Sequence, residues 1–540
     1  MSFRANPAQQ MSFSDSFFNL TERERRALEG SWARVFGDEV FPAIDESRFA
    51  ALYAAGPASR PNTPANVVVG ALIIKELFDY TDDELVEALM LDLRLQYALH
   101  TTSFEEQPLS DKTLTRFRKR LYEHELATGE DLFRECVRGL AASIADVMGA
   151  DGRVRRMDSM MVEANVRKLT RVELVFECMH RLARRLVREL PGLLPEGLAA
   201  YADPAEFNRR FYRRRGEPAD DRAARILADA DELRGACGDA AAGWDEWATL
   251  CRCLVEQTVV DGEGDLAGVR RLRTRGDGLK GSRMLHSPSD PEATYRVKAG
   301  EGHTGYAANI EESVGRAGSV VTDYDYDANV RSDQDFLRES LEASGPAADG
   351  SLLVVDGAYD CGANAELARS RGVELVATAL AHGGAVDAMA DFEWSEDGSE
   401  LLRCAAGHAP LKCGKPEATG RVRATFDAGA CAGCPLAGQC RPEVRNGKAR
   451  VSSSANATRR ARHARRMGQD GFEAYRRLRN GVETVPSNLR RNYRLDKLPR
   501  GRIRGKLFFG AKVAALNFRK LVRFVRGETR PSANPLLAAG

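Results

Sequence analysis

Apolar positions first recur at helical spacing over residues 64–78, where Val67, Val68, Ala71, Leu72, Ile74 and Phe78 supply one face of a helix. A shorter helix is expected near 22–36. The run Pro61-Asn62-Thr63-Pro64 stops the chain ahead of the longer helix, with Thr63 as N-cap and Pro64 as its first residue. Thr81-Asp82-Asp83-Glu84 is a capping box that opens a second helix. A third opens at Ser110, with Leu114, Phe117 and Leu121 inward and Arg116, Arg118, Lys119 and Arg120 partly outward, and a fourth covers 129–148. The period then shortens. Residues 151–163 read as a strand around Val154, Met157 and Met161, and 304–311 and 319–327 alternate like paired strands about a Gly-containing turn at 314–318. Between them, 171–290 returns to charged, Arg- and Ala-rich helix broken by Pro191, Pro195 and Pro218. Further on come a helix (332–343), a buried strand (351–356), a helix (363–371) and a strand (373–378). Residues 383–455 look irregular, 459–494 mainly helical and basic, and 506–526 form a last helix striped by Phe508, Val513, Leu516, Leu521 and Phe524.

With the insertions removed, the order is three strands, helix, strand, helix, strand, helix. That is the order of an RNase H-like α/β core, a mixed sheet with flanking helices. The expected division is an all-α N-terminal, DNA-binding domain (1–148), the core (149–170 and 295–382), a helical insertion (171–294), a Cys-rich insertion (383–455) and a basic helical part of the core (456–530). A chain of 540 residues with 43% hydrophobic and 29% charged residues has material for several domains. No apolar run has the length of a membrane span, and the first residues have no apolar signal segment. The expected location is a bacterial cytoplasm, on the nucleoid; cysteines scattered outside one cluster fit its reducing conditions. The net charge of +1 hides an asymmetry: residues 448–526 hold 23 Lys/Arg against 4 Asp/Glu, a surface suited to a polyanion. Arg459–Arg466 and the tract from Arg490 and Arg491 to Lys506 most plainly suggest phosphate contact.

Three separated stretches each place a carboxylate where a phosphodiester-cleaving site needs one. Asp158 would sit mid-strand, Asp356 at the end of a neighbouring strand before a Gly, and Glu483 on a helix packed against that sheet. Two Asp and one Glu can hold paired divalent cations, since Mg²⁺ (or Mn²⁺) prefers oxygen ligands and carboxylates held together need neutralising.

Those residues also carry a resemblance. Met157-Asp158-Ser159-Met160-Met161-Val162-Glu163-Ala164-Asn165 resembles the first-Asp segment of the DDE transposases of bacterial insertion sequences, and Val355-Asp356-Gly357-Ala358-Tyr359 resembles the second. Arg479, Glu483 and Arg490 resemble the third, the Tyr-(2)-Arg-(3)-Glu-(6)-Lys signature, with Tyr475 one residue early and Arg490 in place of Lys. Arg60-Pro61-Asn62-Thr63-Pro64 and the helices after it are similar to the N-terminal domain of this group. The resemblance implies a transposase with Asp158, Asp356 and Glu483 as catalytic metal ligands. It also implies double-stranded DNA, both transposon ends and target, as substrate, Arg479 and Arg490 on flanking phosphates, and a homodimer or larger assembly on the DNA. Pro486, one turn after Glu483, is expected to kink the helix there. It keeps open a catalytically inactive DNA-binding relative or regulator, and a nuclease without strand transfer shares the same acids.

Cys431-x2-Cys434-x5-Cys440 is a thiolate half-site for Zn²⁺, with Cys404 as fourth ligand and Cys413 or His408 in reserve. The N-terminal helices could read DNA like a helix-turn-helix through Arg116, Arg118, Lys119 and Arg120, or form a bundle that packs on the core or mediates dimerisation. His303 and His382 read as structural. The Gly-x-x-x-x-Gly-Lys-Ser/Thr phosphate loop and the Gly-x-Ser-x-Gly elbow are absent from the sequence.

Overall fold

A computed structural model describes residues 1–6, 16–54, 61–101, 109–213, 218–262, 268–279, 281–298, 300–345, 347, 350–381 and 383–537; Arg60 and His382 lie outside them. A six-stranded mixed sheet forms the centre: β1 (Val154–Glu163), β2 (Thr294–Lys298), β3 (Glu301–Gly315), β4 (Gly318–Ala328), β5 (Ser351–Val355) and β6 (Val373–Ala377). β1 runs antiparallel to β3 on one side and parallel to β5 on the other, and β5 runs parallel to β6. The far edge of β3 pairs with β2 and then with β4. Antiparallel strands on one side of β1 and parallel strands on the other give the RNase H-like order expected. The strand β2 was not expected; five residues bounded by turns are too few to display an alternation.

The helices are α1 (Ala65–Phe78), α2 (Asp82–Leu91), α3 (Asp111–Thr128), α4 (Leu132–Met148), α5 (Arg171–Glu189), α6 (Ala219–Cys237), α7 (Asp245–Gln257), α8 (Asp333–Ala343), α9 (Gly362–Ser370), α10 (Ala455–Met467), α11 (Glu473–Asn480), α12 (Thr484–Asn492) and α13 (Arg502–Val525). Local chemistry sets many of their starts. The Thr81 capping box forms, and Ser110, Asp131 and Ser332 accept from backbone N–H groups of α3, α4 and α8. α1 begins one residue later than expected, with Pro64 rather than Thr63 at the cap. It is buried on nearly every side instead of along one face, because α13 covers what a lone surface helix would expose.

One hydrophobic core joins α1–α4, one face of β1, β3 and β4, and α12 and α13. The opposite face of the sheet packs Met157, Leu353 and Val355 against Leu337 and Leu341 of α8. Helices α5–α7 close around a separate core that includes Phe176, Ile226, Leu250 and Leu254. The Cys-rich segment departs from the irregular structure expected. It holds a two-stranded sheet (Glu393–Trp394 with Leu401–Arg403) and a four-stranded sheet of β7 (Lys412–Cys413), β8 (Val422–Asp427), β9 (Glu443–Arg445) and β10 (Lys448–Ser453), in the order β7-β8-β10-β9. No helix among the described residues is long and apolar enough to cross a membrane.

Candidate active site

Alternation along β1 turns Arg156, Asp158, Met160 and Val162 toward the C-terminal helices, and Met157, Ser159 and Met161 toward α8. β1 and β5 pair in parallel from Val154↔Leu352 to Arg156↔Val354. The same register carried two residues further sets Asp158 level with Asp356. Asp356 follows the last residue of β5 and caps the next turn, its Oδ1 accepting from the Gly357 N–H at 2.6 Å. Only glycine fits at 357, because a Cβ would press on the backbone of Ala379 and Ala381. Glu483 closes a 3₁₀ turn, Gly481–Glu483, that joins α11 to α12 with right-handed helical dihedrals throughout.

The three acids meet at one guanidinium. Arg479, a turn before Glu483, pairs with Glu483 through Nη1, with Asp158 Oδ1 at 3.3 Å through Nη2, and approaches Asp356 Oδ2 at 4.0 Å. The side chains of Arg479 and Asp158 are each only 14% exposed, while Asp356 is 44% and Glu483 59% exposed. Burial pushes the Asp158 carboxyl above its ordinary range, and the charge of Asp356 adds to this. Arg479 and the Ser159 N–H act against the shift without cancelling it. Three carboxylates against one contacting cation leave a formal −2 at the cluster. All the donors are oxygens, so in chemistry and charge the set fits Mg²⁺ or Mn²⁺. The guanidinium spans the acids, and among the described residues no three His, Cys, Asp or Glu side chains stand close enough to hold a metal ion.

A second set of charges fixes the segment that carries Glu483. Arg156 reaches from β1 to the Leu478 carbonyl at 2.9 Å and to the fully buried Glu312 at 2.7 Å, and Lys520 of α13 meets the same Glu312 at 2.7 Å. Gly481 makes room for Arg156, since a Cβ there would overlap its guanidinium. The reading of the sequence gave Arg156 no role. Its place two residues before Asp158, on the same face of a strand, was the available signal.

Pro486, expected to kink the helix, is the third residue of α12, just after the Gly481–Glu483 turn at which α-helical bonding gives way to 3₁₀. Arg490 donates to the Met161 carbonyl at 3.2 Å, and Arg491 is exposed. The four basic residues of α3 do not present one row. Arg118 is taken by Asp82 and lies 5.4 Å over the Phe508 ring, Arg120 stacks 4.8 Å over Tyr53, Lys119 meets Glu123 at 3.5 Å, and Arg116 is exposed. The arginines of α10 are likewise occupied. Arg459 pairs with Asp360 at 2.7 Å, Arg465 with Asp387 at 2.6 Å and Asp391 at 2.7 Å, and Arg466 with Glu374 at 2.6 Å, while Arg462 donates to the carbonyls of Ala390 and Phe392. The tract expected to grip phosphate thus staples the Cys-rich segment to the sheet, with acids drawn from distant parts of the chain.

Within that segment Cys404, Cys431, Cys434 and Cys440 line a cavity of about 30 Å³ together with His408. Burial raises the thiols of Cys431 and Cys440, and the neighbouring cysteines raise them further. Cys413 lies apart from this cavity's lining and its Sγ accepts from the Leu401 N–H at 3.4 Å. Four soft donors around a small apolar space fit Zn²⁺ in kind.

Residues 403–522 match the family described as a transposase DDE domain, and residues 31–120 match the family described as a transposase domain (DUF772). The first match contains Glu483 and the four clustered cysteines; Asp158 and Asp356 lie outside both. Neither a curated protein nor a solved structure matches the chain.

Proposed function

We propose that this chain, which belongs with the DDE transposases of insertion sequences, cuts the DNA of such an element and joins it to a target, with Asp158, Asp356 and Glu483 as its catalytic carboxylates. The observation that carries this reading is the convergence of those three side chains, from segments about 200 and 130 residues apart, on the single guanidinium of Arg479. Asp158, Asp356 and Glu483 would hold divalent cations, Mg²⁺ or Mn²⁺. When bound, these activate the attacking oxygen and neutralise the leaving one. The protein's own part is to fix the carboxylates. β1 and β5 hold two of them in register, and the Arg156–Glu312–Lys520 cluster seats the helix that brings the third. Arg479, Arg490 and Arg491 would contact backbone phosphates beside the acids, contacts that position the duplex without reading its sequence. Two ends joined to one target imply a homodimer or larger assembly on the DNA. Cys404, Cys431, Cys434 and Cys440 would hold a structural Zn²⁺, which would cross-link the Cys-rich segment.

The test uses a supercoiled donor carrying the element's ends, with Mg²⁺. Wild-type protein is expected to give joined products. Asp158→Asn, Asp356→Asn and Glu483→Gln should each lower cleavage by more than about 100-fold, beyond the usual cost of losing a residue that only supports a metal ligand. Near-normal cleavage by all three variants rejects the assignment. Cleavage without joining by the wild type makes the protein a nuclease. The inactive-relative reading rests on Pro486, in the first turn of α12, and on the altered third-acid signature; duplex binding without cleavage by the wild type would favour it.

A further inference from the structure

The contrast between α10 and the sheet that precedes it locates a surface. The arginines of α10 are satisfied within the protein, whereas the outer face of the four-stranded sheet carries cations with few internal partners. Alternation puts Val422, Ala424 and Phe426 of β8 and Ala449 and Val451 of β10 inward, onto the cysteine cavity. It sends Arg423, Lys448 and Arg450 outward, and cross-strand pairing adds Lys412 (opposite Thr425) and Arg445 (opposite Lys448) to the same face. All five are exposed. Of these, Arg423 alone has an ion-pair partner among the described residues, the half-exposed Glu417 at 3.3 Å. Glu443 and Asp427 are the acids of this face, and Asp427 is engaged in capping the following helix. Arg445 and Lys448 stand directly opposite each other, with Asp427 opposite Lys448 on its other side and Glu443 opposite Arg450, so five cations share this face with two cross-strand acids.

This sheet is also held beside the acids. Asp360, four residues after Asp356, binds Arg459. His463 meets the carbonyl of Ala377, the last residue of β6, at 2.7 Å, and Arg460 meets those of Ala381 and Gly383. The Cys-rich module is therefore fastened at the edge of the central sheet where β5 delivers Asp356.

We propose that the outer face of β7–β10, through Lys412, Arg423, Arg445, Lys448 and Arg450, binds the phosphate backbone of duplex DNA next to the catalytic acids. This rests on the reading of DNA as substrate and assigns part of its binding to a face that neither α3 nor α10 provides. Phosphate contact is independent of sequence, so a labelled random-sequence duplex of about 30 base pairs is a sufficient probe. Its affinity for the full chain is measured by fluorescence anisotropy over a series of NaCl concentrations. The slope of log K against log salt should fall by about 0.9 for each phosphate contact removed. A variant combining Lys412→Gln, Arg423→Gln, Lys448→Gln and Arg450→Gln is therefore expected to lose roughly two to four in slope and at least about tenfold in affinity. Lys448→Glu, at an exposed hairpin position, should lower the slope by itself, and an unchanged thermal midpoint shows the module intact. Arg465→Gln, whose guanidinium is already committed, should leave the slope unchanged. Wild-type affinity and slope in both sheet variants overturn this proposal and leave the catalytic reading standing. Failure of the wild-type protein to bind any duplex removes both.

Discussion

Asp158 is a carboxylate held under tension. Its folded carboxyl is held above the unfolded value of 3.8, chiefly by burial. Between the unfolded value and the raised folded one, the native state binds more protons than the unfolded chain, so this group's contribution to stability falls as pH rises through that window. Asp158→Asn should accordingly raise the thermal midpoint at neutral pH while abolishing cleavage, and the gain should vanish once the pH drops below 3.8, where both states are protonated. Differential scanning calorimetry at neutral and strongly acidic pH checks the sign; a lowered midpoint at neutral pH contradicts it. The placement of Asp158 within a strand and of Asp356 at a strand end was legible because each sits in a short local pattern, an alternating strand and a strand end followed by Gly. The fate of Arg118 was not, because Asp82, its partner, lies on a different helix and Phe508 comes from the far end of the chain. The arginines of α10 show the same limit. A run with few acids in sequence can be fully neutralised in space.

At the scale of elements, the site depends on how the α11–α12 segment is seated. Arg156 is pinned at both ends, by Glu312 and by the Leu478 carbonyl, so it has no freedom to yield to a side chain at 481. Gly481→Ala is expected to lower stability by about 1–3 kcal/mol, the range of overpacked sites, and to reduce cleavage through displacement of Glu483. Glu312→Gln leaves Arg156 and Lys520 without their counter-charge and should lower stability by about 3–5 kcal/mol in urea unfolding. Values within 0.5 kcal/mol of wild type, to about that precision, would remove this anchor from the account. Long periodic helices and the buried strands were legible because packing and period agree over many residues. The β7–β10 sheet was not, since strands of two to six residues broken by Gly and Pro turns give each alternation too few repeats to register. The 3₁₀ turn ahead of Pro486 was hidden for a related reason, because a helix that tightens for three residues keeps the same apolar spacing.

For the whole molecule, α13 is the element that unites the chain. Buried over most of its length, it lies on β4 and α4 and receives α1 and α3 on its other sides. Two buried ion pairs cross that junction, Lys512 with Glu76 at 2.5 Å and Lys506 with Glu125 at 2.5 Å. The N-terminal helices therefore share the core of the sheet, while α5–α7 close on their own. Hydrogen exchange should show α1, α4 and α13 opening together with the central strands, and α5–α7 opening independently. Protection of α13 that outlives that of α4 by orders of magnitude speaks against a common unit. The central claim is that residues spread from 158 to 483 form one divalent-cation site, and Mn²⁺ binding followed by electron paramagnetic resonance tests it without any DNA. Wild-type protein should immobilise Mn²⁺, and Asp158→Asn, Asp356→Asn and Glu483→Gln should each weaken that binding by at least about tenfold; equal binding by all four proteins would contradict the account.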